Sequence, residues 1–257
     1  GRLREIVVYL PAGLRGGPFP TAPVPPGLNW DFWLGQAPRV DYVKERCHTT
    51  FRYWLDYSGG TMTDWGAHHN DIARWAIGLE GPTEAEGQVL VQPIPGGYTT
   101  FSEYAVTFTY ANGVKQVVKT TKDDSIFGGV VNKDGQRNGL RLEGTDGWIW
   151  VTRGDLRASD EGLITTPLPE SALRLPVSND HMGNFFECVR SRKLPICDVE
   201  VGHRSVSLCH IGVIALRTGR KLTWDPAQEQ FTGDGAKEGN AFVAREMRKP
   251  YDYSFIG

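Results

Sequence analysis

Ser58-Gly59-Gly60-Thr61-Met62-Thr63-Asp64-Trp65-Gly66-Ala67-His68-His69-Asn70-Asp71-Ile72-Ala73-Arg74-Trp75 is the segment from which the rest of the chain can be read. A glycine pair leads into helical periodicity. Asp64, His68, Asp71 and Trp75 recur at steps of four, three and four, which puts them on one stripe of a helix at ~3.6 residues per turn. Ile72, Ala76 and Leu79 lie beside that stripe and are expected to form its core-facing edge. A carboxylate one turn before an imidazole holds the ring in one tautomer and raises its basicity. Asp64 and His68 are therefore the candidate catalytic pair. Asp64, like Thr63, is equally a natural helix N-cap.

Upstream, Gly1 to Tyr9 has the apolar, β-branched character of a strand and reads as a chain cut at a domain boundary. Residues 11–35 open with six prolines between Pro11 and Pro26, a composition that excludes helix and central strand and predicts an extended arm. Trp30, Phe32 and Trp33 need a surface to dock on, so the arm is expected to be ordered, on this chain or on another subunit. His48 to Tyr57 is aromatic. Within it Arg52 and Trp54 are candidate sugar-binding residues, since ring faces stack on pyranoses; the alternative is a long Arg side chain passing packed rings.

Downstream the period changes to two. Tyr104, Val106, Phe108 and Tyr110 alternate with polar neighbours, Asn112-Gly113 follows, and Val114 to Val118 continue, which predicts a hairpin. Leu140 to Val151 reads as a second hairpin turning at Thr145-Asp146-Gly147. Two helices should follow, one capped by Asn179 or Asp180 and running through Val189, the other capped by Asp198 and stopped by Gly219. His203 and His210 on the second are expected to be satisfied structural histidines. Residues 233–257 are expected to form a tail over the surface.

Composition narrows the partners. A formal net charge of -2 over 257 residues gives no support for nucleic acid or an anionic membrane surface. No apolar run reaches the ~18–20 residues that span a bilayer, so no membrane partner is expected. Four cysteines without a CxxC pair predict free, buried thiols. The compartment stays open between cytoplasm and export. His68 and His69 point about 100° apart on a helix and cannot share an ion. HExxH and Cys-rich zinc spacings are missing, so no metal site is expected. Neither GxGxxG nor GxxxxGK[ST] follows any strand, so no cofactor is expected to be held by this chain.

The motif Gly59-Gly60 with Asp64-x-Gly66-x-His68-x-x-Asp71 resembles the active-site helix of the Gfo/Idh/MocA oxidoreductases, the glucose–fructose oxidoreductase and inositol dehydrogenase family. Leu3 to Val8, Leu28 to Gly35, Glu143 to Gly147, Asn184 to Pro195 and Gly219 to Pro226 are similar to its bacterial branch, so the resemblance spans nearly the whole chain. It implies an α+β fold: a large, predominantly antiparallel open sheet with helices on one face. That is the family's C-terminal, substrate-binding and oligomerisation domain, filling 1–257 as a single unit with no Rossmann domain in the chain. By the match, His68 takes a hydroxyl proton and Asp64 orients it. Arg52, Trp54, Asp71 and His181 are carried as substrate-binding candidates. The implied substrate is a sugar, glycoside or cyclitol, the implied cofactor of the complete enzyme NAD or NADP, and the implied partners the missing Rossmann domain and further copies of the chain. Two other readings stay open: an NAD-dependent glycoside-cleaving enzyme, and a non-catalytic carbohydrate-binding or oligomerisation module.

Overall fold

The computed structural model describes residues 1–121 and 138–254. In chain order the elements are β1 (Leu3–Pro11), α1 (Trp30–Leu34), α2 (Trp65–Ile77), β2 (Glu84–Val91), β3 (Glu103–Thr109), β4 (Lys115–Thr121), β5 (Gly139–Gly144), β6 (Trp148–Thr152), β7 (Asp155–Ala158), α3 (Gly162–Thr165), α4 (His181–Ser191), α5 (Val199–Thr218), β8 (Lys221–Asp225), β9 (Gln230–Thr232) and α6 (Ala236–Asn240). The nine strands form one sheet in the order β7-β6-β5-β1-β4-β3-β2-β8-β9. Every pairing is antiparallel except β1 with β4. The two expected hairpins are β3–β4, with Val106 opposite Val118, and β5–β6, with Leu142 opposite Ile149.

Strand alternation divides the sheet into two unlike faces. Ile6, Val8 and Leu10 of β1, Tyr104, Val106 and Phe108 of β3 and Val118 of β4 point into one core, where α2 and α5 cover them. The opposite face carries Val7, Tyr9, Val117, Lys119, Arg141 and Trp150, with Lys119 Nζ 5.3 Å from the Tyr9 ring centroid and Tyr9 5.7 Å from Trp150. α5 lies so close to β2 that a Cβ on Gly87 would come within 2.5 Å of the Leu216 nitrogen. Only glycine allows that approach. The helix caps agree with the sequence: Asp180 Oδ1 accepts from Gly183 N at 2.8 Å, Asp198 Oδ1 accepts from Val201 N at 3.0 Å, and Gly219 closes α5 in the left-handed region.

The arm packs on its own chain. Phe19 N donates to Gly96 O and Ala22 N to Tyr42 O, and Trp30 stacks on Trp33 at 4.8 Å. It is not extended throughout, because Asn29 caps Phe32 N and turns Trp30–Leu34 into α1. From the C-terminal segment, Arg245 donates to Leu55 O at 2.5 Å and Arg248 to Asp31 Oδ1 and Gly35 O, both at 2.8 Å. Residues 255–257 of the expected tail lie outside the described residues. Cysteine burial differs from expectation: Cys47 and Cys209 are buried, Cys188 is partly so, and Cys197 is exposed. Cys197 sits in the connection between α4 and α5, which the core does not cover.

The core-facing edge of α2 is also not the expected one. Ala76 is exposed and Ile72 and Leu79 only partly buried, while Gly66, His69, Asn70, Ala73 and Ile77 are buried. The reason is a buried polar chain. Asn70, 0% exposed, accepts from Gln116 Nε2 at 2.8 Å, and Gln116 Oε1 accepts from Tyr110 OH at 2.8 Å. The Asn70 amide nitrogen donates to Cys209 Sγ at 3.4 Å. A buried carboxamide must be hydrogen-bonded, and Gln116 and Cys209 satisfy Asn70, so the small and polar side of α2 can turn inward. Replacing Asn70 by Leu should remove the Gln116 acceptor and lower unfolding free energy by about 1–3 kcal/mol. A double-mutant cycle with Gln116→Leu in urea should show coupling of at least about 0.5 kcal/mol. Strict additivity would mean that the two amides do not act together.

Candidate active site

The rotation of α2 separates two adjacent histidines. His68 is exposed and His69 is 1% exposed. His68 and Asp71 line an open pocket of about 410 Å³, with Ile72 on the same helix, Ser205 and Val206 on α5, Arg153 from the β6–β7 turn and Cys197 ahead of α5. Asp71 Oδ1 accepts from Ser205 Oγ at 2.5 Å, which ties the two helices together at the pocket wall. Arg153 stands 5.5 Å from the Trp65 ring centroid, and Trp65 is 6.3 Å from the His68 ring. The arrangement offers a solvent-reachable imidazole, a carboxylate already engaged with a hydroxyl, and a cation in the same lining. Such a set can bind a polyhydroxylated ligand and accept a proton from it.

The other sequence candidates fall elsewhere. Asp64 takes the N-cap position of α2 but makes no side-chain cap. Its carboxylate lies 3.5 Å from Arg52 Nε, and no hydrogen bond joins it to His68. In place of the expected Asp64–His68 pair the structure has an Asp64–Arg52 ion pair. Arg52 also donates to Thr49 O at 3.2 Å. Trp54 is a core residue: 3% exposed, its indole N–H donates to Glu45 O at 2.9 Å and Arg46 covers its ring at 4.0 Å. That leaves no face for a sugar. His181 opens α4, is exposed, and does not line the pocket. His203 pairs with Glu229 at 2.7 Å, and His210 is exposed. Among the described residues no three His, Cys, Asp or Glu side chains gather to hold a metal, and no helix is long and apolar enough to cross a membrane.

Arg153, Cys197 and Ser205 were not anticipated. Arg153 lies in the turn between β6 and β7, and nothing in the sequence tells which turn faces α2.

The profile described as "Oxidoreductase family, C-terminal alpha/beta domain" of the Gfo/Idh/MocA group matches residues 17–253. The chain belongs to the Gfo/Idh/MocA oxidoreductase family. No curated protein matches it. Among solved structures it is similar to the WlbA dehydrogenase of Bordetella pertussis in complex with NADH and UDP-GlcNAcA, at 12% identity and TM-score 0.52, over 88% of this chain and 55% of that one. It is likewise similar to the aldose-aldose oxidoreductase of Caulobacter crescentus complexed with glycerol, at 16% identity and TM-score 0.53, over 87% and 56%. These likenesses are of fold, and the chain spans little more than half the length of either structure.

His69 gives this family member a measurable pH signature. Its Nε2–H donates to Asn138 Oδ1 at 2.9 Å and its Nδ1 is buried without a partner among the described residues. Burial lowers its pKa from 6.5 to about 4; the Asn138 bond opposes that shift, and the charges of His68 and Arg153 add to it. The unfolded chain therefore binds the proton first. Stability present above pH 6.5 should fall by about 3 kcal/mol as pH drops from 6.5 to 4. In thermal unfolding across that window, His69→Phe should flatten the slope. An unchanged slope would assign the acid sensitivity to other groups.

Proposed function

We propose that this chain is the substrate-binding and proton-transfer domain of an NAD(P)-dependent oxidoreductase acting on a hydroxyl of a sugar, glycoside or cyclitol. The observation that carries the reading is His68, exposed at the mouth of an open pocket on the helix whose Asp-x-Gly-x-His-x-x-Asp motif marks the family. His68 takes the hydroxyl proton as general base. Asp71, already bonded to Ser205, orients further hydroxyls, and Arg153 of the β6–β7 turn adds a cation to the lining. Asp64 acts at one remove by holding Arg52 at the start of α2. The ligands named for the two similar structures, a nucleotide sugar acid and glycerol, support a polyhydroxylated substrate.

NAD or NADP, when bound, supplies the hydride acceptor. The residues here do not fit its pyrophosphate. Gly60, at φ 67, is packed so that a Cβ would meet Thr100 Oγ1 at 2.8 Å, and the Asp64 carboxylate stands at the N-terminus of α2, where an anion would otherwise sit. We infer that the dinucleotide is held on a separate domain. Titration calorimetry of this chain with NAD(H) and NADP(H) should show no binding; a micromolar or tighter isotherm would overturn that part of the reading. In the chain combined with a nucleotide-binding domain, His68→Ala should lower turnover roughly 10²–10⁴-fold. The melting temperature should hardly move, since the side chain is exposed. Unchanged turnover would remove His68 from the chemistry.

A further inference from the structure

Past the pocket, the outer face of α5 turns basic. Val206 lines the His68 pocket, and His210 and Arg217 follow it at steps of four and seven, on the same stripe of the helix. At ~1.5 Å per residue they lie about 6 and 16 Å further along. Both reach solvent. Helical side chains lean toward the N-terminus, which directs the long Arg217 side chain back over the turns that lead to His210. Its guanidinium stands 3.7 Å from the Phe242 ring centroid, and Arg245 follows Phe242 in the same segment. Arg245 is fixed in place, since Nη1 donates to Asp56 O at 2.9 Å and Nη2 to Leu55 O at 2.5 Å.

Little on the chain balances these groups. Neither the His210 nor the Arg217 side chain makes a hydrogen bond or ion pair among the described residues. Although an edge of each is exposed, packing around the rest, and then the charge of Arg245, lower the pKa of both. Asp56 opposes that effect at Arg217, yet its carboxylate is already held by Arg46 at 3.1 Å. Two guanidiniums bring fixed positive charge and planar N–H forks, which suit a phosphate dianion, and a neutral imidazole adds a donor without adding charge. We propose that His210, Arg217 and Arg245 form a phosphate-binding site on α5, an inference that goes beyond the functional reading above and does not depend on it. The phosphate comes as the free ion or as an ester on a ligand whose other end occupies the His68 pocket; the chemistry at the three side chains is the same.

Titration calorimetry of this chain with inorganic phosphate tests the site. A single phosphate should bind. Arg217→Met keeps an apolar stem on Phe242 and loses the fork, so it should weaken binding at least about tenfold. His210→Phe should weaken it too. Arg220→Met, which removes an exposed arginine paired with Asp234 and Glu238, should leave the affinity unchanged. Glucose-6-phosphate is the second probe. Binding no tighter than inorganic phosphate would make the free ion the ligand, whereas binding at least about tenfold tighter, with that gain lost in Asp71→Asn, would make it an ester reaching the pocket. No saturable isotherm for either probe up to about 10 mM would overturn the proposal. So would an affinity that neither Arg217→Met nor His210→Phe changes, or one that Arg220→Met lowers as much as Arg217→Met, which would mean diffuse surface charge. Turnover of the His68→Ala variant bears on the functional reading alone, so the two can fail separately.

Discussion

One buried carboxamide sets the geometry on which the candidate site depends. Asn70 faces the sheet because Gln116 on β4 donates to it, and Gln116 is in turn held by Tyr110. A helix has one rotational degree of freedom about its axis, and this chain removes it. With Asn70 inward at about 100° per residue, His69 lies on the shoulder of the buried face and His68 on the far side. Asp71 falls where it meets Ser205 of α5. Apolar side chains alone would tolerate a small rotation, since burial is non-directional; paired amides do not. The same bond that makes the core polar thus decides which histidine meets solvent.

The rest of the sheet serves as a platform for two helices. α5 approaches β2 at Gly87 as closely as backbone permits, and its own buried run from Leu208 to Leu216 fills the space above β2 and β3. The N-terminal half of α5, from Gly202 to Val206, is left to form the second wall of the pocket. Cys209 marks the divide. One turn from Ser205, it is fully buried and its thiol is pushed up to about 12, so it packs as an inert group. Pocket-lining positions take the first half of α5 and core positions the second, according to whether the platform lies beneath them.

Much of this was legible without coordinates. Period two in β3 and β4, Asn112-Gly113 between them and the caps at Asp180 and Asp198 are local signals, and local backbone chemistry decided them. The outward stripe of His68, Asp71 and Trp75 followed from helical spacing. The inward edge of α2 did not, because Asn70 looks polar in isolation and becomes a core residue only through Gln116, 46 positions away. Trp54 failed for the same kind of reason. An aromatic beside an arginine reads as a ligand platform, yet the arginine that covers it is Arg46, not Arg52. Asp64 pairs with Arg52 rather than His68, a choice between neighbours that helical spacing does not decide.

β1 occupies the middle of the sheet, between β4 and β5. Among the strands described it is made first, and both its neighbours lie more than 100 positions later: Val7 waits for Val117 on one side and Arg141 on the other. At about 5–20 residues per second, some 7–25 seconds of synthesis separate this apolar strand from its second partner. Both of its edges are open until β4 is made, and one stays open until β5 follows. Later strands add at open edges, β4 and then β5 on either side of β1 and finally β8 and β9 beyond β2, so the centre of the sheet is laid down first and closed only once β5 has been made.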